Sequence, residues 1–159
     1  MTVLGDIYIH SVGGTPSRIS FLPPESDVSL EEEEPPPGIR RLKRALLDCL
    51  EGKEVDREVA EGLLALPGLT EFQRRVYRAV ISIPRGSTLS YRQVAERVGS
   101  PRAARAVGNV MRRNPFPVII PCHRVVRSDG SPGGYSGPRG MKERLLRMEG
   151  AAAGAGRSP

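Results

Sequence analysis

Residues 3–10 alternate strictly, with Val3, Gly5, Ile7 and Ile9 on one side and Leu4, Asp6, Tyr8 and His10 on the other. That two-residue period predicts a strand. Gly13-Gly14-Thr15-Pro16 reads as a turn and residues 18–22 as a second strand, which together make a hairpin. His10 ends the first strand with no visible partner and is expected to be exposed. Residues 23–38 contain Glu31 to Glu34 followed by Pro35, Pro36 and Pro37, cannot build a core, and read as a loop. A helix follows over 39–50, where Ile39, Leu42, Leu46, Leu47 and Leu50 recur at three- and four-residue steps. Cys49 is expected to pack beside that stripe, and Gly52 to end the helix. Val55 and Val59 sit in a charged stretch with no assignable period. Residues 63–69, broken by Pro67-Gly68, read as the passage between two halves.

Beyond residue 69 the punctuation sharpens. Thr70 with Gln73 forms a capping box opening a helix to about Ile83, with Phe72, Val76, Ala79, Val80 and Ile83 inward and Pro84-Arg85-Gly86 closing it. Ser90 with Gln93 forms a second capping box before a short helix over 91–98 that stops at Gly99. Ser100 then caps a third helix, with Pro101 at its first position, running to about Met111. Two short helices across a tight turn have the grammar of a helix-turn-helix. The second helix carries Arg102, Ala103, Ala104, Arg105 and Gly108, with Arg112 and Arg113 at its end. Small residues permit close approach to a surface and arginines supply phosphate contacts. The bland alternative is a core helix packed through alanines, which leaves the arginines unexplained.

Composition bounds the rest. The 159 residues suit one ordinary domain or two small ones, and 38% hydrophobic with 26% charged residues suits a soluble globular protein. No apolar run approaches the roughly 18–20 residues that span a bilayer. No secretory signal is visible, so a cytoplasmic protein is expected, or a nuclear one in a eukaryote. Two cysteines 73 positions apart match no zinc spacing, and neither a metal nor a cofactor is expected. Two Asn and two Gln among many Arg and Glu fit a thermophile or a GC-rich genome equally. Charge divides unevenly: residues 1–69 carry 7 basic and 13 acidic side chains, whereas residues 70–150 carry 16 basic and 5 acidic. The basic second half is a candidate for binding a polyanion.

The densest chemistry lies in residues 114–126, where a proline-punctuated apolar run ends in Cys122, His123 and Arg124. Free cysteine often packs as a small hydrophobe, so a buried strand with an inert thiol and a reactive nucleophile beside a base are evenly matched readings here. The sequence around it tips the balance. Pro121-Cys122-His123-Arg124-Val125, preceded by Asn114-Pro115, resembles the active-site signature of the O6-alkylguanine-DNA alkyltransferases, the methylated-DNA–protein-cysteine methyltransferases. The likeness takes in Ser90-Tyr91, the run from Ala103 through Gly108, Gly134-Tyr135-Ser136-Gly137, Lys142-Glu143 and Glu149-Gly150, and so covers roughly residues 70–150. Arg144 stands where many relatives have tryptophan, and Pro138-Arg139 is an uncommon sequel to the Tyr-Ser-Gly loop.

The resemblance implies single-turnover repair. The alkyl group of O6-alkylguanine in duplex DNA, with O4-alkylthymine as a second candidate, would pass irreversibly to Cys122. His123 would activate the thiol through a water, since neighbours in extended backbone point apart, and Glu149 would orient His123. Tyr91 would protonate the leaving guanine at N3, and Asn114 would act as a hinge orienting Tyr91 and the turn. Backbone groups of Cys122, Val125 and Ser136 would hold the base edge, with Tyr135 and Gly137 shaping the loop above it. Arg105 would fill the gap left by a flipped base, while Ala103, Ala104, Gly108, Arg102 and Arg112 lie along the minor groove.

The expected fold is α+β. A small α/β N-terminal domain, residues 1–69, with a short antiparallel sheet plus a helix, packs on a helical, winged-helix-like C-terminal domain, residues 70–150, and 151–159 form a flexible tail. The partner is double-stranded DNA carrying the lesion. No membrane is involved, and the protein is expected to be a monomer, with cooperative binding along DNA as the alternative. Two rivals stand: a non-catalytic sensor or regulator of alkylated DNA, and a cysteine hydrolase using Cys122 and His123.

Overall fold

The structure is a computed structural model and describes residues 6–21 and 34–151. Val3, Leu4 and Gly5 of the first alternation, most of the 23–38 loop and residues 152–159 of the tail lie outside the described residues. Strands β1, Tyr8–Val12, and β2, Thr15–Ser20, form an antiparallel pair. Gly13 and Gly14, with φ of 55° and 77°, make the two-residue turn alone, so β2 begins at Thr15, earlier than expected. His10 departs from expectation: it is half-buried, and its Nε2 meets Ser20 Oγ at 2.8 Å.

Helix α1, Pro37–Leu50, starts two residues before the predicted position because proline is tolerated in a first turn, where its missing N–H has no intrahelical partner to lose. Its buried face is Leu42, Ala45, Leu46 and Cys49, whereas Leu47 is 38% exposed. The stripe is therefore rotated slightly from the one the sequence suggests. Helix α2, Arg57–Leu64, accounts for the stretch left unassigned. Asp56 caps it by accepting from Glu58 N and Val59 N, and Val59, Ala60, Leu63 and Leu64 turn inward.

Helix α3, Glu71–Ile81, opens on the expected Thr70–Gln73 box and ends two residues before the predicted close, with Ser82 as its C-cap. Tyr77, passed over in the periodicity, is fully buried, and its hydroxyl donates to Val110 O at 3.2 Å. The helix-turn-helix pairs α4, Tyr91–Arg97, with α5, Ala104–Arg112. Ser90 caps α4 as expected, but Ser100 does not cap α5. Ser100 and Pro101 instead form a turn closed by Ala103 N donating to Ser100 O at 2.8 Å, which lengthens the connector. Helix α6, Met141–Met148, closes the described fold.

A two-residue parallel ladder fixes the centre. Strand β3, Leu89–Ser90, immediately precedes α4, and its partner β4, Val125–Val126, immediately follows the cysteine turn. This pairing brings the first turn of α4 beside Cys122. Apolar side chains from both halves share one core, including Leu42, Leu46 and Leu63 from the first and Val76, Val80 and Ile119 from the second. The hairpin joins the same region through Ile19 N, which donates to Pro115 O at 2.7 Å.

Candidate active site

Residues 114–121 form a folded-back loop rather than a regular strand, with one bridge between Pro117 and Ile120. Val118 lies at φ 75°, a conformation a β-branched residue adopts at a cost of about 1–3 kcal/mol. Val118, Ile119 and Ile120 are all buried, and each contributes about 1.5–3 kcal/mol, so burial outweighs the strain. Asn114, 5% exposed, staples the loop: Nδ2 donates to Ile120 O at 2.9 Å and Oδ1 accepts from Phe116 N at 3.0 Å. Its side chain also hydrogen-bonds the Cys122 thiol. Asn114 thus organises the cysteine segment, and its bonds run there instead of to Tyr91.

Cys122, His123 and Arg124 form one turn of 3-10 helix, all three buried. The extended backbone expected at this point is absent. Successive side chains still diverge, because a three-residue turn rotates each by roughly 120°. Burial pushes the Cys122 thiol up from its ordinary range, and hydrogen bonds from Asn114 and Ser136 with the charge of Lys142 only partly offset this. The resting residue is a protonated thiol.

The neighbouring imidazole of His123 has a defined tautomer. Burial pushes the Glu149 carboxyl up, but hydrogen bonds from His123 and Arg124 outweigh it and hold the group at about 2. An ionised carboxylate only accepts, so the 2.9 Å contact between His123 Nε2 and Glu149 Oε1 places the proton on Nε2. Burial pushes His123 down, which keeps the ring neutral and leaves a lone pair on Nδ1. Nδ1 is buried and has no protein hydrogen-bond partner among the described residues. With His123 neutral, Arg124 is the nearest cation to Glu149. Its Nε and Nη2 donate to the two carboxylate oxygens at 2.9 Å each, and Nη1 donates to Ile83 O at 2.6 Å. Arg124 is visible in the signature, yet sequence alone assigned it no role.

Lys142 is the second such residue. It is 2% exposed, and its ammonium donates to Val125 O, to Gly134 O at 3.3 Å and toward Tyr91 Oη at 3.5 Å. Burial lowers it to about 8, against the attraction of Cys122. Val125, whose backbone the resemblance gives to the base edge, thus has its carbonyl already accepting from Lys142. Val125 N donates to Cys122 O.

Tyr91 donates from its hydroxyl to Gly134 O at 3.3 Å, and burial followed by the nearby Cys122 raises it, so it stays protonated. A β-carbon at Gly133, where φ is 70°, would stand 2.8 Å from Tyr91 Oη, so only glycine fits there. Gly137 has a similar constraint, since its β-carbon would meet the Tyr135 ring at 2.7 Å. The Tyr135 hydroxyl is buried and unpartnered among the described residues, and burial raises it well above its usual value. Ser136, exposed, hydrogen-bonds Cys122.

The helix-turn-helix borders this site. Arg102, Arg105 and Arg112 are exposed, while Ala103, Ala104 and Gly108 are half-buried. A β-carbon at Gly108 would lie 3.8 Å from the Tyr91 ring, and the Arg112 stem runs against Gly134. The basic face and the cysteine pocket are thus adjacent, joined by Tyr91 and the 133–134 turn.

Residues 71–151 match the family profile described as 6-O-methylguanine DNA methyltransferase, DNA binding domain. A methylated-DNA–protein-cysteine methyltransferase of Methanothermobacter thermautotrophicus is 50% identical over 122 residues, 76% of this chain and 66% of that protein. One from Mycobacterium leprae is 51% identical over 80 residues, half of this chain and 48% of that protein. The matches therefore span just under two thirds and about half of those relatives' lengths. The crystal structure of Mycobacterium tuberculosis O6-methylguanine methyltransferase superposes with a TM-score of 0.68 at 30% identity, covering 94% of this chain and 88% of that one. The mycobacterial protein in complex with DNA gives 0.64 at 31% identity, covering 96% and 93%. On these grounds the chain belongs to the O6-methylguanine-DNA methyltransferase family.

Proposed function

We propose that this protein repairs alkylated DNA directly and acts once per molecule. The carrying observation is the buried Cys122–His123 turn, whose imidazole is held by Glu149 with an unpartnered Nδ1 lone pair, beside a basic helix-turn-helix. The Cys122 proton passes to His123, through a bridging water where the two side chains diverge. The Sγ–carbon bond forms as the alkyl carbon–O6 bond breaks, and the electron pair leaves with guanine. Tyr91 donates its proton to N3 of the leaving base, and Lys142, at 3.5 Å, is placed to resupply it. The products are a thioether on Cys122 and unmodified guanine, so no step restores the thiol.

The substrate follows from access. A base within a duplex cannot reach a buried thiol, so the lesion must be turned out, with Arg105 entering the stack from the exposed face of α5. Arg102, Arg112, Ala103, Ala104 and Gly108 would line the minor-groove contact, and the Tyr135–Gly137 loop would cover the flipped base. O6-alkylguanine fits this reading first, and O4-alkylthymine second. The protein works as a monomer. Incubating a known amount of it with excess methylated duplex tests the scheme. Lesion removal should stop at one equivalent, whereas continued turnover would favour a hydrolase and no removal a sensor.

A further inference from the structure

Helices α1 and α6 point their C-terminal ends at a single guanidinium. We infer that Arg85 is a positioning residue for the alkyl transfer proposed above, tying the end of α1 to the end of α6 and thereby setting Glu149 against His123. Arg85 Nη1 donates to Cys49 O, in the last turn of α1, at 3.3 Å. Its Nη2 donates to Met148 O, in the last turn of α6, at 2.9 Å. The same Nη1 lies 3.7 Å from Glu149 Oε1, the oxygen that His123 uses. Helix C-terminal carbonyls carry partial negative charge and lack intrahelical donors, so a forked, permanent cation suits two of them at once.

The turn that carries Arg85 is itself fixed. Arg85 N donates to Glu54 Oε1 at 3.1 Å, and Glu54 Oε2 lies 3.8 Å from Arg124 Nη1. Gly86 sits at φ 77°, where a β-carbon would come within 3.1 Å of Glu149 O. Arg85 is only 22% exposed, and a small cavity lined by Cys49, Val118, His123, Arg124 and Glu149 adjoins it. Glu149 is thereby gripped from two sides, by Arg124 of the cysteine turn and by Arg85 from the loop after α3. Through Cys49 O and Glu54, both held by Arg85, the first half of the chain gains a hold on the Glu149–His123 pair.

A staple that merely stabilises the fold would lower the melting temperature and leave His123 alone. A positioning cation would change how His123 titrates. The charged and titratable groups around the ring are Glu149, Arg124, Lys142 and Cys122, and those around Glu149 are Arg85, Arg124, Glu54 and the Cys49 thiol. Removing the Arg85 charge by itself makes a proton on His123 less costly, but releasing Glu149 weakens the 2.9 Å hydrogen bond and the adjacent charge that raise the ring. This closer contact outweighs a cation 3.7 Å from the carboxylate, so the His123 midpoint should fall.

The experiment uses the full chain with Arg85→Met, which keeps most of the volume, and Arg85→Lys, which keeps the charge. Imidazole NMR across pH reads His123, with His10→Gln identifying the other ring. Single-turnover reaction with free O6-benzylguanine reads transfer without DNA. Arg85→Met should lower the His123 midpoint by about half a pH unit or more and slow transfer about tenfold at neutral pH, with DNA affinity unchanged. Arg85→Lys should recover much of both. An unshifted His123 in Arg85→Met, or equal rate losses in both variants without a His123 shift, would overturn the inference. Failure of the unmodified protein to transfer at all counts against the proposed function, while the NMR arm still decides whether Arg85 governs the Glu149–His123 pair.

Discussion

Glu149 Oε1 accepts from His123 Nε2 at 2.9 Å, and this contact determines which nitrogen of the ring faces the chemistry. Sequence places the two residues 26 positions apart, one after the cysteine and one at the end of the last helix. Helix α6 brings them together because Met141, Leu145 and Leu146 anchor it in the core, leaving Glu149 at its C-cap beside the cysteine turn.

Acid should dissolve this arrangement in a defined window. Glu149 is held at about 2, below its ordinary value of 4.5. A group depressed on folding contributes stability that is fully present above the ordinary value and lost as pH falls through the folded one. Glu149 should therefore supply on the order of 3 kcal/mol that fades between about pH 5 and 2. Urea unfolding at a series of pH values checks this. Glu149→Gln should be less stable at pH 7, with a flatter decline over that window, and parallel curves for the two proteins would refute it.

Lys142 offers a second handle, through the thiol rather than the carboxylate. Its buried ammonium favours ionised Cys122, so Lys142→Met should move the onset of Cys122 reactivity to higher pH and slow transfer at neutral pH about tenfold. The rate of reaction with O6-benzylguanine between pH 6 and 9 reads both. Superimposable profiles would remove Lys142 from the account. The sign follows from loss of a positive charge beside a developing negative one.

Arg105 tests access apart from chemistry. It is exposed on α5 and touches none of the cysteine turn's hydrogen bonds, so Arg105→Ala should slow repair in duplex DNA at least tenfold while reaction with free O6-benzylguanine is nearly unchanged. Parallel single-turnover assays on the two substrates decide it. Equal losses on both would mean that Arg105 supports the pocket rather than opening the duplex.

Much of this was legible in the sequence because local chemistry and final structure agree there. The capping boxes at Thr70 and Ser90 formed as written, since each needs only residues three apart. The resemblance drew Cys122, His123, Asn114, Tyr91 and Glu149 into one site. What stayed hidden depended on distant partners. Lys142 and Arg124 stand in the matched motifs without a role, because their partners Val125 O, Ile83 O and Glu149 are brought to them only by the fold. Helix α2 lacked a long stripe, and its cap at Asp56 was lost among neighbouring charges. Ser100-Pro101 carried a helix-start signal but closed a turn instead, because the connector's own bond from Ala103 N competes for Ser100 O. His10 had a partner ten residues away across a hairpin, beyond the reach of local pattern.

The most direct test is the mass of the protein after reaction. Intact-mass measurement following incubation with O6-methylguanine duplex should show a single added methyl group, assigned by peptide fragmentation to Cys122 and absent from Cys49, whose buried thiol is raised to about 11. Cys122→Ala should show no adduct while binding DNA with nearly unchanged affinity. An adduct on another residue, or lesion removal persisting in Cys122→Ala, would contradict the account.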